Sequence, residues 1–275
     1  MLASARQFAL TCAAMKHVLR LVLIALLATL PCVAQQRNQK SRPAQLDSLL
    51  RVLNQESLVA RLNWEVVANK LEIGKIRSGK QMALDAKVWF DNKSEDTARN
   101  RPFAESKLLH EYRGQIVDLI QKFTLLGSSQ LGQFVTPEQS IPVRFADKNG
   151  ASVLLLTDIA SENTFNILRV SSRERATKVL ETIILPSLTR FHDALGKTSI
   201  KYYGMFVCYG SRDFSNNSDV LNLKGEAIAF IVSVQHCAAF LNGKLTEDAL
   251  LKAADIFLAD REMLSGVKRI EVKLN

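Results

Sequence analysis

Glycine and proline are scarce in this 275-residue chain, at 12 and 6 residues. That excludes collagen-like and low-complexity architectures. Cysteine is limited to Cys12, Cys32, Cys208 and Cys237, too few for a disulfide-dense scaffold. The sequence contains no Gly-x-Ser-x-Gly, His-Glu-x-x-His, Cys-x-x-Cys or Gly-x-Gly-x-x-Gly. The local signatures of a serine-hydrolase elbow, a zinc protease, a dithiol site and a dinucleotide fold are therefore missing. No basic stripe is interleaved with aromatics, so nucleic acid is not an expected partner. No cofactor or metal is expected either.

Long apolar runs are also few. Leu21–Leu30 is one, with Lys16 and Arg20 before it and Ala34 followed by polar Gln35–Lys40 after it. A spanning helix needs about 20 apolar residues. The positive flank, short apolar centre and small residue at 34 instead read as a secretory signal peptide over 1–34. An uncleaved anchor is the alternative. Membrane contact is thus expected only during export or through that anchor. The chain is expected to be exported, to the periplasm or beyond. Met15-Lys16 also resembles a natural start for such a signal.

What is present is ordinary for a globular domain: 47% hydrophobic and 23% charged residues, with a formal net charge of +9. Loss of 1–34 would remove Arg6, Lys16 and Arg20 and no acid, leaving 33 basic against 27 acidic residues. This scattered excess reads as a solvated surface.

The core is expected around Ile200–Val234. Two apolar, β-rich runs flank Asp213–Asp219, a cluster of turn formers, which is a strand–loop–strand pattern. Upstream, Asp147-Lys-Asn-Gly150 between Ile141–Ala146 and Ala151–Thr157 signals a hairpin. Thr164–Val170 reads as a third strand. Ser171 and Glu174 form a capping box for a helix to Leu195, kinked at Pro186. Thr246 caps a helix carried to residue 260, and Ile270–Leu274 alternates as a final strand. Before residue 141, Gln35–Ala44 reads as a linker and residues 45–71 as an amphipathic helix. Met82–Phe90 alternates like a strand, with helix as its alternative. Residues 102–123 read as a helix opened by Pro102. The expected class is α+β: a mainly antiparallel sheet with helices on one face, preceded by a helical N-terminal region. The boundaries are 45–135 for that helical region and 136–275 for the α+β domain. Ala227 and Ala229 leave room for a helix to approach the sheet.

Candidate functional residues are thin. Glu226 opens an apolar strand, where a charge is costly unless paired. It reads either as a carboxylate at a pocket rim or as a strand-end residue bonded to Lys224, Arg212 or water. Arg212, Asp213 and Asp219 beside it complete a candidate binding set. Asp213, Ser215, Asn217 and Asp219 have the alternation of a calcium loop. Ser218, however, stands where glycine is needed, and Lys224 where a glutamate is needed. Gly74–Lys80 matches the glycine and lysine spacing of a phosphate loop, but Gln81 replaces the hydroxyl residue and a helical stretch precedes it. Cys208 and Cys237 allow either a disulfide or two buried thiols. Cys237 with His192 or His236 is the one conceivable thiol–imidazole pair.

Two functional classes follow. The first is an exported, non-catalytic binding or interaction module of a bacterial cell envelope or exterior. The second is an exported hydrolase using Glu226, Asp213, His192 or Cys237. A third expectation is structural, with residues 45–71 serving a protein partner or self-association as a coiled coil.

Overall fold

A computed structural model describes residues 46–68, 76–77, 79–91, 101–123, 133–135, 141–215, 224–259 and 266–273. The expected signal peptide over 1–34, the expected linker, Gly74, Gly127, Asn217, Ser218, Asp219 and Leu274 lie outside the described residues. Residues Leu46–Asn275 form one compact unit.

Among the described residues its frame is an eight-stranded sheet. The strands are β1 (Ile76–Arg77), β2 (Gln133–Val135), β3 (Val143–Lys148), β4 (Ala151–Asn166), β5 (Tyr202–Arg212), β6 (Lys224–Ser233), β7 (Asp255–Ala259) and β8 (Lys268–Arg269). Their order is β1-β2-β4-β5-β6-β7-β8, with β3 also paired to β4. Among the described residues every pairing is antiparallel except β4 with β5. The fold is α+β.

The β3–β4 hairpin turns through Asn149 and Gly150, with φ of 55° and 81°. Two consecutive positive values define the tight turn whose twist matches paired strands, and Asn-Gly is the pair that tolerates it. Thr164–Val170 is not a separate strand. β4 runs unbroken to Asn166, because bulges after Leu156 and Ala160 bend it without ending it.

Strand alternation splits the interior into two layers. On one face Leu154, Leu156, Met205, Val207, Ile228, Phe230, Ile256 and Leu258 meet most of the helices. These include α2 (Gly79–Asp91), α3 (Phe103–Glu111), α4 (Arg113–Phe123), α5 (Ser172–Val179) and α6 (Leu185–Leu195). A π-helical stretch, Leu180–Ile184, joins α5 to α6 where Pro186 follows. The proline cannot donate to the carbonyl four residues back, so the hydrogen-bonding pattern widens there.

The opposite face is lined by small side chains, Ala146, Cys208, Ala227, Ala229 and Ala259, with Val153, Leu155 and Phe206. Leu49, Val52 and Leu53 pack on them from α1 (Leu49–Ala68), the helix that approaches over the alanines. Leu50 of the same helix points outward at 53% exposure.

Other assignments change. The final strand is Lys268–Arg269, and the described residues 270–273 of the expected Ile270–Leu274 strand are not strand. The helix expected over 102–123 is divided at Tyr112 into α3 and α4. Met82–Phe90 is helical: Met82, Ala83, Ala86, Trp89 and Phe90 are buried at three- and four-residue spacing, which outweighs its apparent period of two. The helix beginning after Thr246 is α8 (Glu247–Ala253). It stops where Ala254 turns extended (φ −84°, ψ 154°), and residues 255–259 become β7. Before it, α7 (Val234–Leu241) begins directly at the end of β6, capped by Ser233.

Candidate functional site

Glu226 lies in β6 directly opposite Tyr209 of β5. It is fully buried, not a rim residue. Its partner is Arg175 of α5, which donates from Nε to Oε2 at 2.9 Å and from Nη2 to Oε1 at 2.6 Å. Two parallel bonds of this kind are the strongest geometry for the pair. Arg175 also donates from Nη1 to the Val170 carbonyl. Burial, and next the Glu226 charge, push the Tyr209 phenol well above its ordinary range, and Phe165 packs edge-on against its ring at 5.6 Å.

The local sequence explains how Arg175 is delivered. Ser171 and Glu174 complete the capping box: the Glu174 amide donates to Ser171 Oγ at 3.3 Å and the Ser171 amide to Glu174 Oε2 at 2.7 Å. That fixes the first turn of α5, from which Arg175 points at the sheet. Sequence reasoning sought the partner of Glu226 at Arg212 or Lys224. The missed signal was Arg175 itself, a charge four residues before Val179 on the apolar stripe of its helix.

Arg212 and Asp213 stand above this pair, at the end of β5. The Arg212 carbonyl accepts the Ile167 amide at 3.1 Å, joining the turn after β4 to the end of β5. Its guanidinium lies 4.9 Å from the centre of the Phe214 ring. Asp213 Oδ1 accepts the Ser215 amide at 2.8 Å and the Ser215 hydroxyl at 2.6 Å, an Asx turn. Among the described residues no cluster of three or more His, Cys, Asp or Glu is arranged to hold a metal ion.

Cys208 and Cys237 are free and buried; of the two alternatives the sequence allowed, the pair of buried thiols is the one formed. Cys208 belongs to the alanine-lined layer and Cys237 to the other, with the sheet between them. Burial, with the charges of Asp158 and Glu56, raises the Cys208 thiol far above its ordinary range. Burial alone pushes Cys237 up to about 12. A nucleophilic cysteine needs the opposite shift. Cys237 Sγ faces the Leu188 carbonyl at 3.8 Å, one turn before His192, and the His236 ring lies 3.0 Å from Ser233 Oγ. Cys237 lies beyond the far end of β6 from Glu226. At about 3.3 Å per residue, the strand between Glu226 and Ser233 spans roughly 23 Å. The hydrolase set is therefore not gathered in one place.

A second buried charge cluster, which sequence reasoning did not identify, borders the free edge of β3. Arg144 donates to Glu105 (Nε to Oε1, 2.8 Å) and to Glu56 (Nη1 to Oε1, 2.8 Å). Glu105 also accepts the Phe145 amide at 2.9 Å. Arg101 donates to Glu105 at 3.2 Å, to the Val143 carbonyl at 2.5 Å and to the Ile141 carbonyl at 3.1 Å. The Asp147 amide donates to the Asp47 carbonyl at 2.8 Å. The outward backbone groups of β3 are thus met by side chains and by the segment entering α1.

Comparison with protein-family models, curated proteins and solved structures finds no match. Among the described residues no helix is long and apolar enough to cross a membrane.

Proposed function

We propose that the chain is an exported, non-catalytic interaction module of a bacterial cell envelope or exterior. Its contact surface is the end of the sheet around Arg212 and Asp213. The observation that carries this reading is the pairing of exposed apolar side chains with a rigid base. Leu168 is 64% and Phe214 45% exposed, on two segments joined by the Ile167–Arg212 hydrogen bond and underpinned by Arg175. Glu226, the sequence's best candidate acid, spends both oxygens on Arg175, which suits an anchor better than a proton-transfer group.

Two measurements test it. Protease accessibility of the full chain in intact cells and in spheroplasts is expected to place it outside the inner membrane. With chromogenic ester, glycoside, phosphate and peptide substrates, turnover is expected to stay at the buffer rate. Turnover abolished by Glu226→Gln or Cys237→Ser would establish the hydrolase reading in its place.

A further inference from the structure

The geometry points to an anionic lipid surface as the partner of this sheet end, with Leu168 and Phe214 entering the headgroup boundary and Arg169, Arg173 and Arg212 taking the lipid phosphates. This rests on the interaction-module reading and specifies its partner.

Leu168 sits at the apex of a fixed turn. Asn166 Oδ1 accepts the Leu168 amide at 3.0 Å, and the Asn166 carbonyl accepts the amides of Arg169 and Val170 at 3.2 and 3.0 Å. The Val170 carbonyl is held from below by Arg175. An apolar side chain on so tied a turn is not waiting to fold inward, and its ordering cost on binding is already met. Phe214 is carried by the segment that the Ile167–Arg212 hydrogen bond ties to this turn, under the Arg212 guanidinium.

The charges suit the same surface. Arg169 and Arg173 are exposed, and neither they nor Arg212 makes an ion pair with a described residue. The nearby acids are engaged locally: Glu174 accepts from the Ser171 amide and hydroxyl, and Asp213 accepts from Ser215. Guanidinium groups beside protruding Leu and Phe are the elements of interfacial lipid binding.

Size separates lipid from a protein partner. A stable protein interface needs about 800 Å² from each side, whereas even an aromatic side chain buries only about 150–250 Å². Two protruding side chains fall short of such an interface, but a lipid boundary needs no matching surface.

The test uses the purified full chain carrying Leu168→Trp, with the unsubstituted chain as background for its own tryptophans. Vesicles contain brominated phosphatidylglycerol or brominated phosphatidylcholine. The expected result is quenching of the new indole by the anionic lipid and not by the zwitterionic one. Salt at about 0.5 M, where screening acts within a few Å, should abolish it. Adding Arg169→Gln and Arg173→Gln should weaken partitioning about five-fold for each arginine removed. Because the probe is at residue 168, attachment through the N-terminal apolar run alone gives no quenching. The assignment is overturned by no quenching on anionic vesicles, by equal quenching on both lipids, or by binding of polyglutamate in place of vesicles, which would indicate an acidic protein. None of these outcomes bears on substrate turnover, so the broader reading stands or falls separately.

Discussion

The two buried charge clusters are built from the same chemistry and serve different ends. The edge cluster joins Arg101, Glu105, Arg144 and Glu56 from three parts of the chain. Its members also bond outward-facing backbone groups of β3. It stands in for a missing neighbouring strand, closing an edge that would otherwise template pairing with another chain. The inner pair, Arg175 with Glu226, touches backbone at Val170. It fastens a surface turn to the sheet. The first cluster therefore holds the fold together, and the second holds a surface in place. Burial alone does not distinguish them; the backbone groups reached by Arg101 in one cluster and by Arg175 in the other do.

Removing one arginine from each cluster is the strongest way to break the comparison. Breaking a buried pair costs about 3–5 kcal/mol, because the remaining charge is left without compensation. Arg144→Met should lie at the top of that range, since Arg144 serves both Glu56 and Glu105. Urea unfolding followed by circular dichroism measures it. Arg175→Met should lie at the lower end, and Glu226→Leu added to it should recover most of the loss, because two apolar groups can replace an ion pair nearly neutrally. A double-mutant cycle reads the coupling directly. At temperatures where both single variants remain folded, only Arg175→Met should reduce vesicle partitioning. Equal reductions would erase the distinction between the clusters.

Much of this framework was legible because its signals are local. Asn149-Gly150 specifies a turn, Ser171 and Glu174 specify a helix start, and Pro186 specifies a departure from α-helical bonding. The failures occurred where two periods competed. Met82–Phe90 carries apolar residues that fit both two-residue alternation and a helical face, and only packing against α4 decides between them. Residues 255–259 continue the apolar spacing of α8, and nothing before Ala254 announces the change to extended backbone. The site was harder still. Glu226 was visible as a charge in an apolar strand, but its partner is 51 residues away in sequence. A helix-to-sheet contact of that separation leaves no periodicity. Two charges on two buried faces were the only available hint.

A smaller effect sharpens the role of α1. Ala229 lies where α1 packs on the sheet, and Ala229→Leu would overfill that layer. Such substitutions cost about 1–3 kcal/mol. The helix carries Glu56, so displacing it should also loosen the edge cluster while leaving Arg175–Glu226 intact. Hydrogen exchange provides the measurement: the Phe145 and Asp147 amides should lose protection, and the Val170 amide should keep it. Loss at Val170 as well would mean that the two clusters form one cooperative unit.

The smallest expected change tests the inner pair from its supporting end. Ser171→Ala removes the hydroxyl that accepts the Glu174 amide, and loss of such a cap costs about 1 kcal/mol. The Glu174 carboxylate is held below its ordinary range chiefly by the Ser171 amide and hydroxyl. That stabilisation is present above the ordinary carboxylate range and fades as pH falls through the lowered value. Ser171→Ala should therefore cost most near neutral pH and least in acid, and a series of urea midpoints against pH would reveal the slope. The cap acts on the turn from which Arg175 reaches both Glu226 and Val170, so the loosening should appear at Leu168 before it appears in global stability. A Leu168→Trp indole whose anisotropy is unchanged by Ser171→Ala would mean that Asn166 alone holds the turn, and that the buried pair beneath it serves the sheet rather than the surface.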